Sequence, residues 1–221
     1  MITLVLEAST YAGSAAILEG SSLLVARSIA MRGREHEALL GAVGELLAEC
    51  GFTATRVGRI VCGAGPGSFT SLRIAASIAK GMAAATGAPI VAISSLSLLV
   101  ASAESLTHGR YLAVVDAMRG ESYVQEFGVD AEGRVSSKGS HRVVATALVD
   151  TIAVERGAVA LGPSRSGAEF VVPHSRSATL LTNMIEATPP ADLAAWEPAY
   201  GRLSEAQVKW EAANGRALDV A

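Results

Sequence analysis

The chain has 221 residues, with 18 basic and 21 acidic side chains and a net charge of −3. That length suits one large domain or two small lobes, and that charge excludes a protein that coats nucleic acid by bulk electrostatics, though not one with a local basic patch. Half the residues are hydrophobic and 18% are charged, which excludes disorder as the main state; with aromatics at 5%, the core is built mainly from Ala, Val, Leu and Ile.

Cys50 and Cys62 lie in apolar surroundings and give neither a disulfide framework nor a zinc cluster. Residues 1–10 carry no basic segment and reach Glu7 within one short strand, so no signal peptide is read there. Arg32, Arg34, Arg56, Arg59, Arg73 and Lys80 interrupt the apolar runs well short of the ~20 residues a membrane span needs. A cytoplasmic protein without a membrane partner is expected.

In chain order, residues 2–6, 13–18 and 23–30 read as three strands, the last two joined by the turn Glu19-Gly20-Ser21-Ser22. Tight connections make these an antiparallel meander. Residues 35–50 carry Leu39, Leu40, Val43, Leu46, Leu47 and Cys50 at helical spacing, with Gly51 where a C-terminal cap belongs. A short strand at 60–62 runs into the glycine loop Gly63-Ala64-Gly65-Pro66-Gly67, and a helix at 68–86 closes on Gly87 and Pro89. A strand at 89–93 and a helix at 95–104 follow.

A second unit begins near Arg110. Residues 111–116 and 121–127 form a hairpin about Met118-Arg119-Gly120. Helices are expected at 144–155, 179–186 and 204–213, the last with Ser204 as N-cap, and a buried strand at 158–161. No internal repeat is visible. The pattern is α/β with mixed sheets, most simply in two lobes.

The glycine loop stands between a strand and a helix, where converging N–H groups can hold an anion. Gly65, Gly67, Ser68 and Thr70 are the candidate contacts, but the loop lacks both standard nucleotide fingerprints. The alternative is a tight turn with Ser68 as N-cap. The helix after it has two apolar faces, one with Leu72, Ala75, Ala76, Ala79 and Ala83, the other with Ile74, Ile78 and Met82. A helix apolar on two sides is buried on two sides. Its second cover is either the 35–50 helix within the chain or another polypeptide.

Catalytic constellations are thin. His36, His108, His141 and His174 are scattered and form no ligand pair at helical spacing, and no Gly-x-Ser-x-Gly elbow occurs. Glu7 and Asp116, each after a strand, suit either base or metal work or the bonding of their own turns. Arg27, Arg32, Arg34, Arg56 and Arg59 suit solvated faces or an RNA-binding edge.

The run Gly65-Pro66-Gly67-Ser68-Phe69-Thr70-Ser71-Leu72-Arg73-Ile74, followed by Ala79-Lys80-Gly81, resembles the signature of the bacterial TsaB family, also called YeaZ. Leu4-Val5-Leu6-Glu7-Ala8-Ser9-Thr10 is similar to that family's first strand and turn. Val115-Asp116-Ala117-Met118-Arg119-Gly120-Glu121-Ser122-Tyr123 resembles its second-lobe strand, and Glu197-Pro198-Ala199-Tyr200-Gly201-Arg202 with Trp210 resembles its C-terminal end. Three positions depart from the pattern: Glu7 stands where the family usually has Asp, Ser71 replaces a common Gly, and Glu35 rather than His36 falls at a frequent His position.

The resemblance implies an actin-like, Hsp70-like two-lobed fold with mixed sheets flanked by helices. Residues 1–105 with a returning 203–221 would form the first lobe and 106–202 the second. It also implies a catalytically inactive partner subunit in making threonylcarbamoyladenosine on tRNA. A TsaD-type subunit would hold metal and nucleotide and carry out the transfer, and this chain alone would bind no cofactor. A TsaE-type ATPase is the third component, tRNA is met indirectly, and the chain alone would form a homodimer through the surface that meets TsaD. The residues assigned to that surface are Leu40, Val43, Leu47, Ser71, Ile74, Ile78 and Met82. The alternatives are an ATP-dependent phosphotransferase of the same fold, using Glu7, the glycine loop and Asp116, and a glycoprotease-like metallopeptidase.

Overall fold

Ile2, Leu4 and Leu6 project from one face of strand β1 (Ile2–Glu7) and Thr3, Val5 and Glu7 from the other, and all are buried. A strand buried on both faces lies inside a covered sheet. The computed structural model describes residues 1–31, 38–163, 169–201, 210 and 213–215, and in it β1 is the middle strand of five. β2 (Ala12–Glu19) and β3 (Ser22–Ala30) continue antiparallel on one side; β4 (Val57–Gly63) and β5 (Ile90–Ile93) lie parallel on the other, in the order β3-β2-β1-β4-β5.

The even face of β1 packs on helices α1 (Ala38–Glu49) and α2 (Phe69–Thr86). The first three residues of the expected 35–50 helix, 35–37, lie outside the described residues. Gly51 takes the left-handed conformation at φ 70°, and its N–H donates to the Ala48 carbonyl at 2.9 Å. α2 ends in the same way on Gly87 at φ 75°.

The odd face of β1 meets helix α3 (Ser95–Ala101), whose residues are all buried. Val5, Val61 and Val91 of the first sheet share one cluster with Leu96, Leu98 and Leu99 of α3 and with Phe127 and Leu161 of the second sheet. A helix between two sheets has no face left for water, which explains why its seven residues, Ser95 and Ser97 included, are all buried. Ser94 caps it, its Oγ accepting from the Leu96 N–H at 3.2 Å.

The second sheet is built around β6 (Gly109–Asp116). β7 (Glu121–Val129) pairs antiparallel with it and, on its outer edge, with β8 (Val135–Ser137) and β9 (Arg142–Ala145). β10 (Ala158–Gly162) and β11 (Glu169–Phe170) lie parallel on the other side of β6. Both sheets therefore place an antiparallel meander on one side of their first strand and parallel crossovers on the other. This duplicated layout is that of the actin-like fold, and it corrects the sequence reading of no internal repeat: the repeat lies in the order of strands and not in the residues.

Two further expectations change. The helix expected at 144–155 is shorter, α4 (Val149–Arg156), because residues 142–145 pair with β7 as β9 and a 3-10 turn intervenes. The helix expected at 179–186 is a 3-10 turn at Ser175–Leu181 leading into α5 (Thr182–Ala187). Beyond α5 the chain runs back along the first sheet, with Ala191 N–H donating to Ile90 and Ala199 N–H to Ala64, each at 2.8 Å. The helix expected at 204–213 falls largely outside the described residues. No helix among the described residues is long and apolar enough to cross a membrane.

Candidate functional site

The helix pair on the first sheet carries the most distinctive surface. In α2, Ala75, Ala79 and Ala83 lie against the sheet with almost no exposure, small enough to bring the helix close. The adjacent stripe, Ile74, Ile78 and Met82, packs against the edge of the same core and is only half-buried. Between it and Leu40 of α1, which is 58% exposed, runs an open apolar groove of about 620 Å³, completed by Phe69, Thr70, Arg73 and Ser77. Contiguous apolar surface left open on a folded protein is a candidate interaction surface.

The sequence-assigned surface residues therefore separate. Leu40, Ile74 and Ile78 line the groove, and Met82 continues the half-buried stripe one turn further along α2. Val43 and Leu47 are buried against the sheet, and Ser71 is buried at the start of α2 with its Oγ 3.0 Å from that of Ser68. These three serve the protomer's own packing and offer nothing to an outside surface. Four groove residues, Phe69, Thr70, Arg73 and Ser77, are absent from the surface assigned by sequence, and Phe69 and Arg73 are the large ones. The guanidinium of Arg73 sits 5.4 Å over the Phe69 ring, which in turn meets Tyr200 at 4.6 Å. An aromatic residue in the first turn, followed at i+4 by Arg, was the signal for them.

The glycine loop is filled by protein. Its Ala64, Gly65 and Ser68 N–H groups donate to the Ile93 carbonyl, the Ser95 hydroxyl and the Ser9 carbonyl at 2.7, 3.0 and 2.7 Å. A Cβ on Gly67 would stand 2.1 Å from the Ser9 carbonyl oxygen. Gly65 and Gly67 are glycines so that other backbone can approach them. Ser68 occupies the N-cap position without a side-chain bond to the backbone, and Thr70 is exposed. With three donors spent internally, these residues do not fit a nucleotide phosphate cradle.

Glu7 is fully buried at the end of β1. Its Oε1 accepts from the Ser9 N–H at 2.6 Å, while Oε2 has no hydrogen-bond partner, nor have the nearby Ser9 and the Ser175 hydroxyls. Burial pushes the carboxyl above the usual carboxylate range, with the neighbouring Ser9, Ser95 and Ala8 donors acting the other way. It also pushes the Cys62 thiol upward, Glu7 adding to the effect. Asp116 holds its own hairpin, accepting from the Met118 N–H at 2.8 Å, in a turn where Met118, Arg119 and Gly120 all have positive φ.

The histidines stay apart. His108 is exposed, His141 packs edge-on against Tyr123 with ring centroids 6.1 Å apart, and His36 lies outside the described residues. His174 Nδ1 accepts from the Arg176 N–H at 3.1 Å, its Nε2 lies 3.1 Å from the Ser28 hydroxyl, and burial holds it below the usual imidazole range. Among the described residues no three His, Cys, Asp or Glu side chains converge as metal ligands. Arg27 is paired with Glu45 and Glu49 of α1. Arg59 Nε donates to Thr3 at 3.3 Å and Arg56 is exposed, while Arg32 and Arg34 lie outside the described residues.

Residues 30–158, more than half the chain, match the family described as TsaD, tRNA N6-adenosine threonylcarbamoyltransferase. The chain is 35% identical over 102 residues to the tRNA threonylcarbamoyladenosine biosynthesis protein TsaB of Escherichia coli K12, covering 45% of this chain and 44% of that protein. It is 32% identical over 124 residues to the protein of the same name from Haemophilus influenzae Rd, covering 56% and 52%. It thus spans about half the length of these curated relatives. Two solved structures from Pseudomonas aeruginosa match far more fully. One is an uncharacterised protein described as similar to the peptidase YeaZ, with TM-score 0.78 and 27% identity over 91% of this chain and 99% of that one. The other is YeaZ, with TM-score 0.76 and 26% identity over 90% and 99%.

Proposed function

The chain belongs to the TsaB (YeaZ) branch of the TsaD family, and from that premise we propose that it is a non-catalytic partner subunit in the formation of threonylcarbamoyladenosine on tRNA. The observation that supports this reading is the open apolar groove between Leu40 and the Ile74–Ile78 stripe. A TsaD-type subunit is its occupant. Specific interfaces bury about 1,200–2,000 Å² in total, and two exposed helix faces with their flanks supply an area of that order. In the absence of TsaD, a second copy of the chain takes the same place, giving a homodimer.

Catalysis then belongs to the partner. The acid at the end of β1 is sealed from solvent and bonded to Ser9, the glycine loop is occupied by Ser9 and Ser95, and Asp116 serves its own turn. Each position that a phosphotransferase of this fold would use is thus engaged within the protein. ATP and metal are assigned to the TsaD-type and TsaE-type subunits, and tRNA reaches this chain through the complex in the cytoplasm. The lobes of this reading are residues 1–105 with 203–221 and residues 106–202, with Ala191 and Ala199 of the second range already bonded to Ile90 and Ala64 of the first.

Reconstitution tests it. TsaD-type enzyme, TsaE-type ATPase, threonylcarbamoyl-adenylate synthase, tRNA, threonine, bicarbonate and ATP are combined with and without this chain, and modified adenosine is measured. Modification that depends on the chain, and survives Glu7→Gln, is expected. Equal modification in its absence, or ATP hydrolysis by the chain alone that is lost in Glu7→Ala, would overturn it.

A further inference from the structure

The outer edge of β7 is paired by β8 at one end and by β9 at the other, and the connection between them, residues 138–141, bows away from the strand. A polar pocket of about 280 Å³ opens in that gap, on the face of the second sheet that carries α4. Lys138 reaches it from the connection, Arg142 from the start of β9 and Arg156 from the end of α4, with Glu126 of β7 as the lone carboxylate among its lining residues. Three cations against one anion leave a local excess of two positive charges in a chain whose net charge is −3.

The distribution of partners sharpens this. Glu126 is engaged by Arg156, Nε to Oε1 at 3.4 Å. Among the described residues neither Lys138 nor Arg142 has an acidic side chain within ion-pair distance. The connection that carries them is also held in place. The Gln125 amide donates to Ser137 Oγ at 2.9 Å and to the Gly139 carbonyl at 2.7 Å, and the Lys138 N–H donates to the Glu126 carbonyl at 2.9 Å. Gly128 leaves room for the Lys138 stem: a Cβ there would stand 2.8 Å from Lys138 Cε. Exposed cations carried on a hydrogen-bonded backbone around a small polar hollow form a site for a compact anion with several acceptor oxygens. The hollow lies below the ~300–1,000 Å³ of a typical small-molecule pocket, so it admits one tetrahedral oxyanion and part of an ester, not a whole nucleotide.

We propose that this pocket binds a phosphoryl group, supplied by the backbone of an RNA strand or by a small phosphate ester. The site is far from the α1–α2 groove in the fold and stands independently of the docking role assigned to it.

The test compares the full chain with Lys138→Gln/Arg142→Gln and with a control, Arg119→Gln/Arg176→Gln, that removes the same charge from exposed positions elsewhere. Inorganic phosphate is titrated by calorimetry, and a short fluorescein-labelled oligoribonucleotide by anisotropy at two salt concentrations. Thermal unfolding checks that each variant is folded. The affinity for at least one probe falls about tenfold or more in the pocket variant and stays within about twofold in the control, since charge-assisted hydrogen bonds to two cations are lost. Binding of the oligoribonucleotide alone assigns the phosphoryl group to RNA; binding of phosphate alone assigns it to a small ester. Failure of both probes to bind, unchanged affinity in the pocket variant, or an equal loss in the control would overturn the proposal.

Discussion

Gly65 and Ser95 exchange two hydrogen bonds, the Gly65 N–H donating to Ser95 Oγ at 3.0 Å and the Ser95 N–H to the Gly65 carbonyl at 2.9 Å. This pair ties the loop before α2 to the first turn of α3, and so links the candidate docking helix to the layer between the sheets. Ser95→Ala leaves the buried Gly65 N–H without an acceptor. Its expected cost is about 1–3 kcal/mol, read from the urea midpoint of the isolated protein.

Two glycines of this region should respond to alanine with opposite sign. At Gly65, φ is 86° and a Cβ would stand 2.5 Å from the Ala199 carbonyl oxygen, so Gly65→Ala loses about 1–3 kcal/mol. Gly81 lies on the exposed side of α2 with open space at the Cβ position. Gly81→Ala gains about 0.5–1 kcal/mol from helix propensity. Chemical denaturation of the two variants beside the unmodified chain gives both signs.

Glu7 gives a pH dependence with a definite direction. Its carboxyl is raised by burial, so the folded chain keeps a proton that the unfolded chain releases. The corresponding stability is complete below the ordinary carboxylate value and is lost as pH rises through the raised one. Glu7→Gln removes this titration. The difference in unfolding midpoint between variant and unmodified chain should therefore move in the variant's favour as pH rises from below the ordinary carboxylate value through the raised one. A difference that stays constant from below the ordinary carboxylate value to the alkaline limit of the folded state would contradict a buried, raised Glu7.

Much of the first sheet was legible because its determinants are local. The turn at Glu19–Ser22 fixes the β2–β3 hairpin, and Gly51 and Gly87 end α1 and α2 in left-handed caps. The two-sided character of α2 was also readable, since Ile74, Ile78 and Met82 sit a turn apart on a face that the alanines do not use. Which residues of α1 face outward was not. Val43 and Leu47 belong to the same apolar stripe as Leu39 and Leu46, and that stripe goes to the sheet, leaving Leu40 beside it exposed.

The second sheet was less legible, for a different reason. β9 and α4 share one stretch that reads as continuous helix, and only pairing of residues 142–145 with β7, some twenty positions earlier in the chain, selects strand there. The repeated strand order depends likewise on non-local pairing. The engagement of the glycine loop by Ser9, Ser95 and Ala199 joins three distant segments, which no local spacing encodes.

The measurement that bears most directly on the docking role is co-elution with a TsaD-type subunit in size-exclusion chromatography, using the unmodified chain and a Leu40→Asp/Ile78→Asp variant whose circular dichroism is checked first. Both positions line the groove and neither is fully buried, so the folded protomer is retained. The unmodified chain is expected to travel with the partner and the variant to elute alone with an unchanged spectrum. A folded variant that co-elutes as fully as the unmodified chain would contradict the assignment of the α1–α2 groove as the docking surface.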